Sequence, residues 1–399
     1  MTITQLLTLS VFIGFVVSDP QILPLDNFFS QTSTIVNGVE VGCKLYVASK
    51  DDRTLLRNIS ARTGNAWTSL DTLADYNANG SMKYLTITGD LEIKTTNINS
   101  RTELLTGYLY ITTYLQAQDP TFAVYVITGQ HTIFREGLKS TTVVLNTHLN
   151  SDDTGADVPE KTSYVTNIQH SSNTNLYLHW GIPAANWNDV SNNTFFKNPL
   201  MIDNTKVFFD HVEPLQVDLD FWYFTADGPV RMDVENKYVE NHKYTTTSVN
   251  TTGITLNSFL YENHQINFLL DRTRKRTTGT LISTYLDTDV TFQLVGDESV
   301  TKTYGFKSNA NQDLSVYYFQ ADRLLVNSTF LPGIFYCQYF GFSTDLLPNA
   351  PSTVSTTMGV TTSRPLITTP TVATTTKSTH SHFGLDLSVL LLLSSLFFH

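Results

Sequence analysis

Apolar and polar residues alternate along much of this chain with the short period of β-strands. In the clearest run, Leu215–Tyr223, the apolar side chains are separated by polar ones that include Asp218 and Asp220. A period of two places the charged members on one face of a strand and the apolar members on the other. A turn signal follows at 225–228 and the alternation then resumes, so the pattern predicts a β-hairpin over 215–235.

Further strand patterns recur at short intervals on both sides of this hairpin. They lie at 41–47, 83–88, 108–115, 123–127, 142–145, 176–180, 265–270, 280–286, 290–294, 314–319 and 334–340. Only Ala66–Ala74 has helical spacing, which predicts one short helix. Many short strands with almost no helix predict an all-β fold of one or two antiparallel β-sandwich or jelly-roll modules.

The polar segment 151–175 predicts a linker between a first module, residues 19–150, and a second module, residues 176–345. A weak internal repeat supports two related modules. Residues 106–122 begin with Thr-Gly followed by strand-forming residues, and a similar pattern occurs at 278–292.

Both terminal segments are apolar and short. The stretch Leu6–Val17 has the length of a signal-peptide core, which predicts cleavage after Ser18 and a signal peptide over 1–18; a buried strand or helix is the alternative. Residues 383–399 carry a short apolar run without basic residues, preceded by a polar spacer and small residues. This order is typical of a glycosylphosphatidylinositol (GPI) addition signal.

Ser378 is the predicted attachment residue for this lipid anchor, with Thr376, Thr379 and Ser381 as rivals. An uncleaved tail anchor and a buried C-terminal helix are the alternatives. The preceding residues 346–382 are rich in Thr, Ser and Pro and predict a disordered, O-glycosylated stem.

The composition fits a secreted, sugar-covered surface. Charged residues make up 15% of the 399-residue chain and its formal net charge is −11. The acidic balance argues against a nucleic-acid partner, which requires a clustered basic face. Export would make acceptors of the asparagines in Asn-X-Ser/Thr sequences, which are Asn58, Asn79, Asn192, Asn250 and Asn327.

The chain has two cysteines, Cys43 and Cys337. In an oxidising compartment a lone pair usually joins, so a disulfide is predicted, with two buried free thiols as the alternative.

The succession of signal peptide, strand-rich modules with textures such as Thr106–Tyr114, Thr-rich stem and GPI-type tail resembles the nematode CUB-like surface proteins. The resemblance implies an extracellular, non-catalytic role that is sometimes linked to innate defence. The shortage of cysteines departs from CUB domains proper.

Motifs for phosphate binding, acyl transfer or a zinc protease are missing from the sequence, and no cofactor is predicted. His179, beside Trp180, is expected to be a core or edge residue, and the neighbours Asp210 and His211 would point to opposite faces of a strand.

One acidic group and one basic run remain as candidate chemistry. Asp218, Asp220, Asp233 and Glu235 would share the polar face of the predicted hairpin, as a solvated surface or as weak calcium ligands. The basic run predicts an exposed loop, an anionic-glycan site or a cleavage site, with candidate residues Arg272, Arg274, Lys275 and Arg276.

These patterns together predict a cell-surface binding or structural glycoprotein on the extracellular face of the plasma membrane. Its partners would be a lipid anchor and an unidentified protein or glycan ligand, in adhesion, glycan recognition or defence. The alternative is an extracellular hydrolase on a jelly-roll scaffold that uses the carboxylates of the 215–235 hairpin.

Overall fold

The fold is nearly all β in the part of the chain that the structure describes. The computed structural model describes residues 19–28, 33–77, 80–95, 104–149, 158–184, 193–240, 243–246, 250–256, 263–269, 276–286, 289–296, 301–307, 316–319, 321–328 and 335–343. It has two short α-helices, α1 (Arg53–Leu56) and α2 (Tyr114–Gln118), and two 3₁₀ turns at Leu25–Asn27 and Leu70–Thr72.

The strands are numbered here in chain order. The first fourteen are β1 (Gln21–Pro24), β2 (Thr34–Val36), β3 (Lys44–Ala48), β4 (Ile59–Thr63), β5 (Ala66–Ser69), β6 (Leu85–Thr86), β7 (Leu91–Thr95), β8 (Tyr108–Ile111), β9 (Phe122–Ile127), β10 (Gln130–Arg135), β11 (Ser140–Asn146), β12 (Ser163–His170), β13 (Leu176–Trp180) and β14 (Thr194–Asn198). The rest are β15 (Leu200–Ile202), β16 (Thr205–Val207), β17 (His211–Val212), β18 (Leu215–Val217), β19 (Phe221–Ala226), β20 (Val230–Glu235), β21 (Lys243–Thr246), β22 (Thr251–Leu256), β23 (Asn263–Phe268), β24 (Arg276–Leu286), β25 (Val290–Val295), β26 (Thr301–Phe306), β27 (Val316–Phe319), β28 (Arg323–Ser328) and β29 (Phe335–Ser343).

The N-terminal strands form two facing four-stranded sheets. Sheet 1 has the order β1-β8-β3-β6 and sheet 2 the order β2-β7-β4-β5. Alternate residues of each, such as Val47 and Leu109 in sheet 1 and Ala61 and Ile93 in sheet 2, meet in a first hydrophobic core. The period of two therefore positions one face of sheet 2 inward and leaves the other for solvent.

A second core lies between sheet 3, ordered β14-β13-β19-β11-β9, and sheet 4, ordered β10-β20-β12-β18. Trp222, Phe224 and Met232 are fully buried in it. The Trp222 indole N–H donates to the Ser163 hydroxyl at 3.1 Å, so the largest side chain of the core has its polar atom paired.

The third core lies between sheet 5, ordered β17-β22-β29-β24-β27, and sheet 6, ordered β21-β23-β28-β25-β26. The other face of β29 is also covered. Phe340 and Phe342 pack against the β15–β16 hairpin, and Tyr336 stacks on Phe195 of sheet 3 with ring centroids 5.1 Å apart.

Sheets 1 and 3 stack directly on each other. Tyr46, Tyr108 and Tyr110 of sheet 1 pack against Val124 and Val143 of sheet 3 in a separate buried cluster. The central strands of these two sheets are consequently covered on both faces, and every residue of β8 and β11 is buried.

The all-β prediction is confirmed, but its finer form is not clearly supported. The successive sheets form a layered stack rather than a clear jelly roll, and β9–β11, β17–β22 and β21–β23 pair in parallel. The predicted linker 151–175 contains β12, which pairs with both β18 and β20 inside sheet 4.

Two local predictions are wrong. The 215–235 segment is not a hairpin, because β18 and β20 belong to sheet 4 whereas β19 lies in sheet 3. The helix predicted over Ala66–Ala74 is instead strand β5 followed by a 3₁₀ turn. The weak sequence repeat between the two halves is not matched by a repeat in structure. Tyr114 begins α2, whereas the corresponding residue of the second half, Tyr285, lies within β24.

The predicted disulfide is wrong as well. Cys43 and Cys337 are both free and fully buried. Cys43 belongs to the first core and Cys337 to the third, so each thiol is surrounded by apolar side chains of a different sheet pair. This is the alternative of two buried thiols, with each cysteine behaving as a small hydrophobe.

We expect two titratable thiols per chain when the protein is unfolded without reductant, because neither cysteine is bonded. In the folded protein both should react slowly with iodoacetamide, since burial excludes the reagent and raises the pKa of the Cys43 thiol. Mass spectrometry of the alkylated peptides measures both states. Cys43→Ala and Cys337→Ala are matched controls that should each lose one thiol, and a crosslinked peptide joining the two cysteines would contradict the assignment.

Candidate functional site

A polar cleft of about 400 Å³ opens where sheet 1 meets sheets 3 and 4. One wall comes from β1 and β8. The other comes from the segments that carry His148 and Lys161 and from Asp220, which directly precedes β19. The stacking of sheets 1 and 3 therefore creates the cleft at the margin of their shared layer.

Tyr108 joins the two walls. Its hydroxyl lies 2.8 Å from the carbonyl oxygen of Asp220 and 3.0 Å from that of Asn146. Burial raises the pKa of Tyr108 well above its ordinary value, so the hydroxyl stays protonated and donates to these carbonyls.

The sheet 1 wall is held by close backbone packing around Gly107. A Cβ atom at this glycine would lie 2.4 Å from the carbonyl oxygen of Ala48. The Asp51 carboxylate accepts from the backbone N–H groups of Thr106 and Gly107 at 3.0 and 3.1 Å. This turn consequently presents Tyr108 to the cleft in a fixed position.

Charged side chains line the mouth of the cleft. The Lys161 ammonium lies 3.1 Å from the Asp220 carboxylate and 5.4 Å from the centre of the Tyr108 ring. His148 lies 3.5 Å from the Glu160 carboxylate, whose side chain is 80% exposed. Asp26 adds a third carboxylate to the lining. Three carboxylates against one lysine and one imidazole give the lining of the cleft an acidic balance.

The four predicted calcium ligands do not come together as one site. Asp220 lies in the cleft, whereas Asp233 and Glu235 lie on β20 in sheet 4. Asp233 accepts from Thr132 at 2.6 Å and from Asn167 at 2.5 Å. Among the described residues, no group of three His, Cys, Asp or Glu side chains has the arrangement of a metal site.

Asp218 is enclosed by its own network at the end of β18. Its carboxylate accepts from the Thr162 hydroxyl at 2.5 Å and from the Gln216 amide at 2.9 Å. Burial, with a smaller contribution from nearby Glu240, raises the pKa of Asp218 to about 6, although its hydrogen bonds from Thr162 and Gln216 act in the opposite direction. The surroundings of Asp218 therefore disfavour its ionised form at neutral pH.

The histidines highlighted by the sequence are structural. His179 is buried in β13 and stacks on Tyr223 with ring centroids 4.5 Å apart, which confirms the prediction of a core residue. Burial lowers its pKa to about 4. His211 contacts Glu213 at 3.2 Å, whereas Asp210 accepts from the side-chain amide of Asn250, so the adjacent pair does not act together.

Three of the five predicted glycosylation sites lie in described residues. Asn58 precedes β4 and donates to the Thr54 carbonyl, Asn250 lies in a turn before β22, and Asn327 lies within β28. All three side chains are partly exposed. Asn79 and Asn192 lie outside the described residues.

The other predicted site residues fall largely outside the described part of the chain. Arg272, Arg274, Lys275 and Ser378 are not described, and Arg276 is the first residue of β24. The segments 1–18, 346–382 and 383–399 are likewise outside it. Their predicted roles stay predictions.

Sequence reasoning missed most of the cleft. Tyr108, His148, Glu160 and Lys161 come from separate strands and loops, and only Asp220 was among the candidates. The sole local signal was the adjacent Glu160-Lys161 pair of opposite charges, which lay in the segment interpreted as a linker.

Comparison with known proteins defines the class. The nearly all-β chain is a surface glycoprotein. It belongs to the family described as transmembrane glycoprotein, whose sequence model matches residues 40–394. No curated protein matches. Within the described residues, no helix is both long and apolar enough to cross a membrane.

Among solved structures, the chain has a distant similarity to the subviral particle of the VP2 protein of infectious bursal disease virus. The two chains are 12% identical, with 82% of this chain and 73% of that chain covered and a TM-score of 0.12. A score this low carries no argument about fold or function. The comparisons also contain nothing that supports the CUB-like resemblance, which stays a prediction.

We expect Asp218→Asn to stabilise the protein at neutral pH. The folded pKa of about 6 lies above the ordinary carboxyl value, so the favourable contribution of protonated Asp218 is complete below about pH 4 and is lost as pH rises through 6. The variant should therefore gain about 1–3 kcal/mol over wild type at pH 7.5 and almost nothing at pH 4. Urea unfolding at a series of pH values measures the difference.

Asp233→Asn is the control of opposite sign. Hydrogen bonds, first that from Asn167, hold the pKa of Asp233 below its ordinary value, so its contribution is present above about pH 4 and is lost on acidification. This variant should be less stable than wild type at pH 7.5. If the free energy of unfolding had the same pH dependence in wild type and Asp218→Asn, the raised pKa would not belong to Asp218.

Proposed function

We propose that this protein is a non-catalytic binding glycoprotein of the extracellular cell surface. The observation that carries the proposal is the acidic cleft, a concave polar site in a protein of the surface glycoprotein class. We interpret the three facing sheet pairs as sandwich-like modules, which hold the walls of the cleft as rigid elements.

The hydrolase alternative has less support than the binding role. It required carboxylates of one hairpin to face each other, but β19 and β20 lie in different sheets. Asp218 and Asp233 are each held by their own hydrogen-bond donors. A pair of carboxylates flanking one bond would need to be free to face a common substrate.

The ligand of the cleft is a group with a positive charge, such as the guanidinium or ammonium of a partner protein. Lys161 is neutralised by Asp220 at 3.1 Å, which leaves Asp26 and Glu160 to set the sign of the potential. The ring of Tyr108 is buried beneath Lys161, so the carboxylates at the mouth of the cleft are the groups that a ligand cation would meet.

Acetyl-arginine amide and acetyl-citrulline amide test this preference, because the urea of citrulline is a neutral group of nearly the same shape as the guanidinium of arginine. We expect the arginine compound to bind weakly and the citrulline compound not to bind, by nuclear magnetic resonance titration. Glu160→Gln and Asp26→Asn should each weaken binding about two- to fivefold, as expected for exposed charges. Asp233→Asn, a carboxylate outside the cleft, is the matched control. Equal binding of both compounds would refute the cationic ligand.

We further propose that the protein is exported and anchored in the outer leaflet through a GPI group at Ser378. The apolar composition of 385–398, in which Asp386 is the single charged residue, and the small residues before it support this attachment. Phosphatidylinositol-specific phospholipase C should release a glycosylated product from cells that express the protein. Ser378→Leu should lower the released amount, whereas a product retained by cells and carrying an intact C-terminal peptide would refute the anchor.

A further inference from the structure

The outward face of sheet 2 carries an exposed tryptophan with two cations close to its ring. Ile59 and Ala61 of β4 point into the first core, so the alternate residue Arg62 points outward. Arg62 pairs directly with Trp67 of β5 on one side and with Glu92 of β7 on the other. Trp67 is 39% exposed.

Both cations lie against the indole ring. The Lys94 ammonium is 4.0 Å and the Arg62 guanidinium carbon 5.2 Å from the ring. In a chain with a net charge of −11, two cations gathered on one exposed aromatic side chain form a local positive site.

Glu92 forms an ion pair with only one of the two cations. Its carboxylate forms an ion pair with Arg62, while among the described residues Lys94 has no carboxylate within ion-pair distance. The positive charge of Lys94 on this face is therefore not neutralised by an ion pair. The Arg62 guanidinium lies beside Trp67, where it could exchange the Glu92 carboxylate for an acidic group of a ligand.

We propose that this face binds an acidic saccharide, with Trp67 stacking on a sugar ring and Lys94 and Arg62 contacting its sulfate or carboxylate. The apolar side of a pyranose matches an exposed aromatic ring, and the acidic substituent matches the two cations. The outer face of sheet 2 has side chains from β4, β5 and β7 next to one another, which suits an extended glycan chain lying across strands. The proposal is independent of the ligand of the cleft.

Calorimetry of the full-length protein with a heparin-derived hexasaccharide and with its desulfated counterpart tests the site. We expect the sulfated form to bind more tightly than the desulfated form, because sulfates add negative charge to the carboxylates that both forms carry. Trp67→Ala and Lys94→Ala should each raise the Kd about three- to tenfold, and Glu92→Gln should lower it about two- to fivefold by releasing Arg62. The gain with Glu92→Gln separates a binding role from a loss of folding.

Tyr84 and Lys44 provide a matched control elsewhere on the protein. Tyr84 is 44% exposed and the Lys44 ammonium lies 4.8 Å from its ring, so the pair has the same chemistry with a single cation. Tyr84→Ala and Lys44→Ala should leave the Kd unchanged.

Three outcomes would overturn the proposal. The first is equal affinity for the sulfated and desulfated sugars or for a polyglutamate peptide. The second is an equal loss in the Trp67 and Tyr84 variants. The third is loss of binding when Arg272, Arg274 and Lys275 are replaced by Ala together with unchanged binding in Trp67→Ala, which would assign the sugar to the basic run.

Discussion

Burial of both faces of the central strands in sheets 1 and 3 is the constraint on which the other features depend. The layer between them contains tyrosine side chains, and a buried hydroxyl must find a hydrogen-bond partner. Tyr108 finds carbonyl oxygens of Asn146 and Asp220, on the opposite side of the layer. Tyr110 contacts the amide oxygen of Gln116, which also caps α2 and whose amide nitrogen donates to the Pro183 carbonyl. These bonds join segments distant in sequence, so the stacking of the sheets is specified by polar pairing as well as by apolar area.

The sequence predicts the strand-rich class and many individual strands, but not how strands are divided among sheets. The Leu176–Trp180 strand is found with the predicted bounds as β13. The alternation of apolar and polar residues did not predict the two faces of β19. Trp222 and Phe224 lie in the second core, while Tyr223 lies in the layer shared with sheet 1. A strand buried on both faces has no polar side to mark its orientation. The helical spacing around Trp67 misled for a related reason, because Trp67 and Leu70 belong to a strand and a turn whose conformation is set by pairing with β4.

The candidate sites were harder to predict because they are assembled by contacts between distant segments. Asp220 was selected for its apparent neighbours on a hairpin, but its real neighbours are Lys161 and Tyr108, which come from other parts of the chain. Counting cysteines predicted a bond, whereas the topology places Cys43 and Cys337 in separate cores. Spacing along the sequence cannot decide either case, since sheet order determines which residues meet.

The cleft and the Trp67 face share one electrostatic arrangement with opposite signs. In the cleft the Asp220 carboxylate neutralises Lys161, and on sheet 2 the Glu92 carboxylate pairs with Arg62. Each internal pair orders a long side chain beside an aromatic ring, which lowers the entropy that a ligand must remove on binding. The unpaired charge then selects the ligand, negative in the cleft and positive on sheet 2. A single ligand group of one sign therefore cannot satisfy both surfaces, and an isolated change such as Glu92→Gln alters one surface without touching the other.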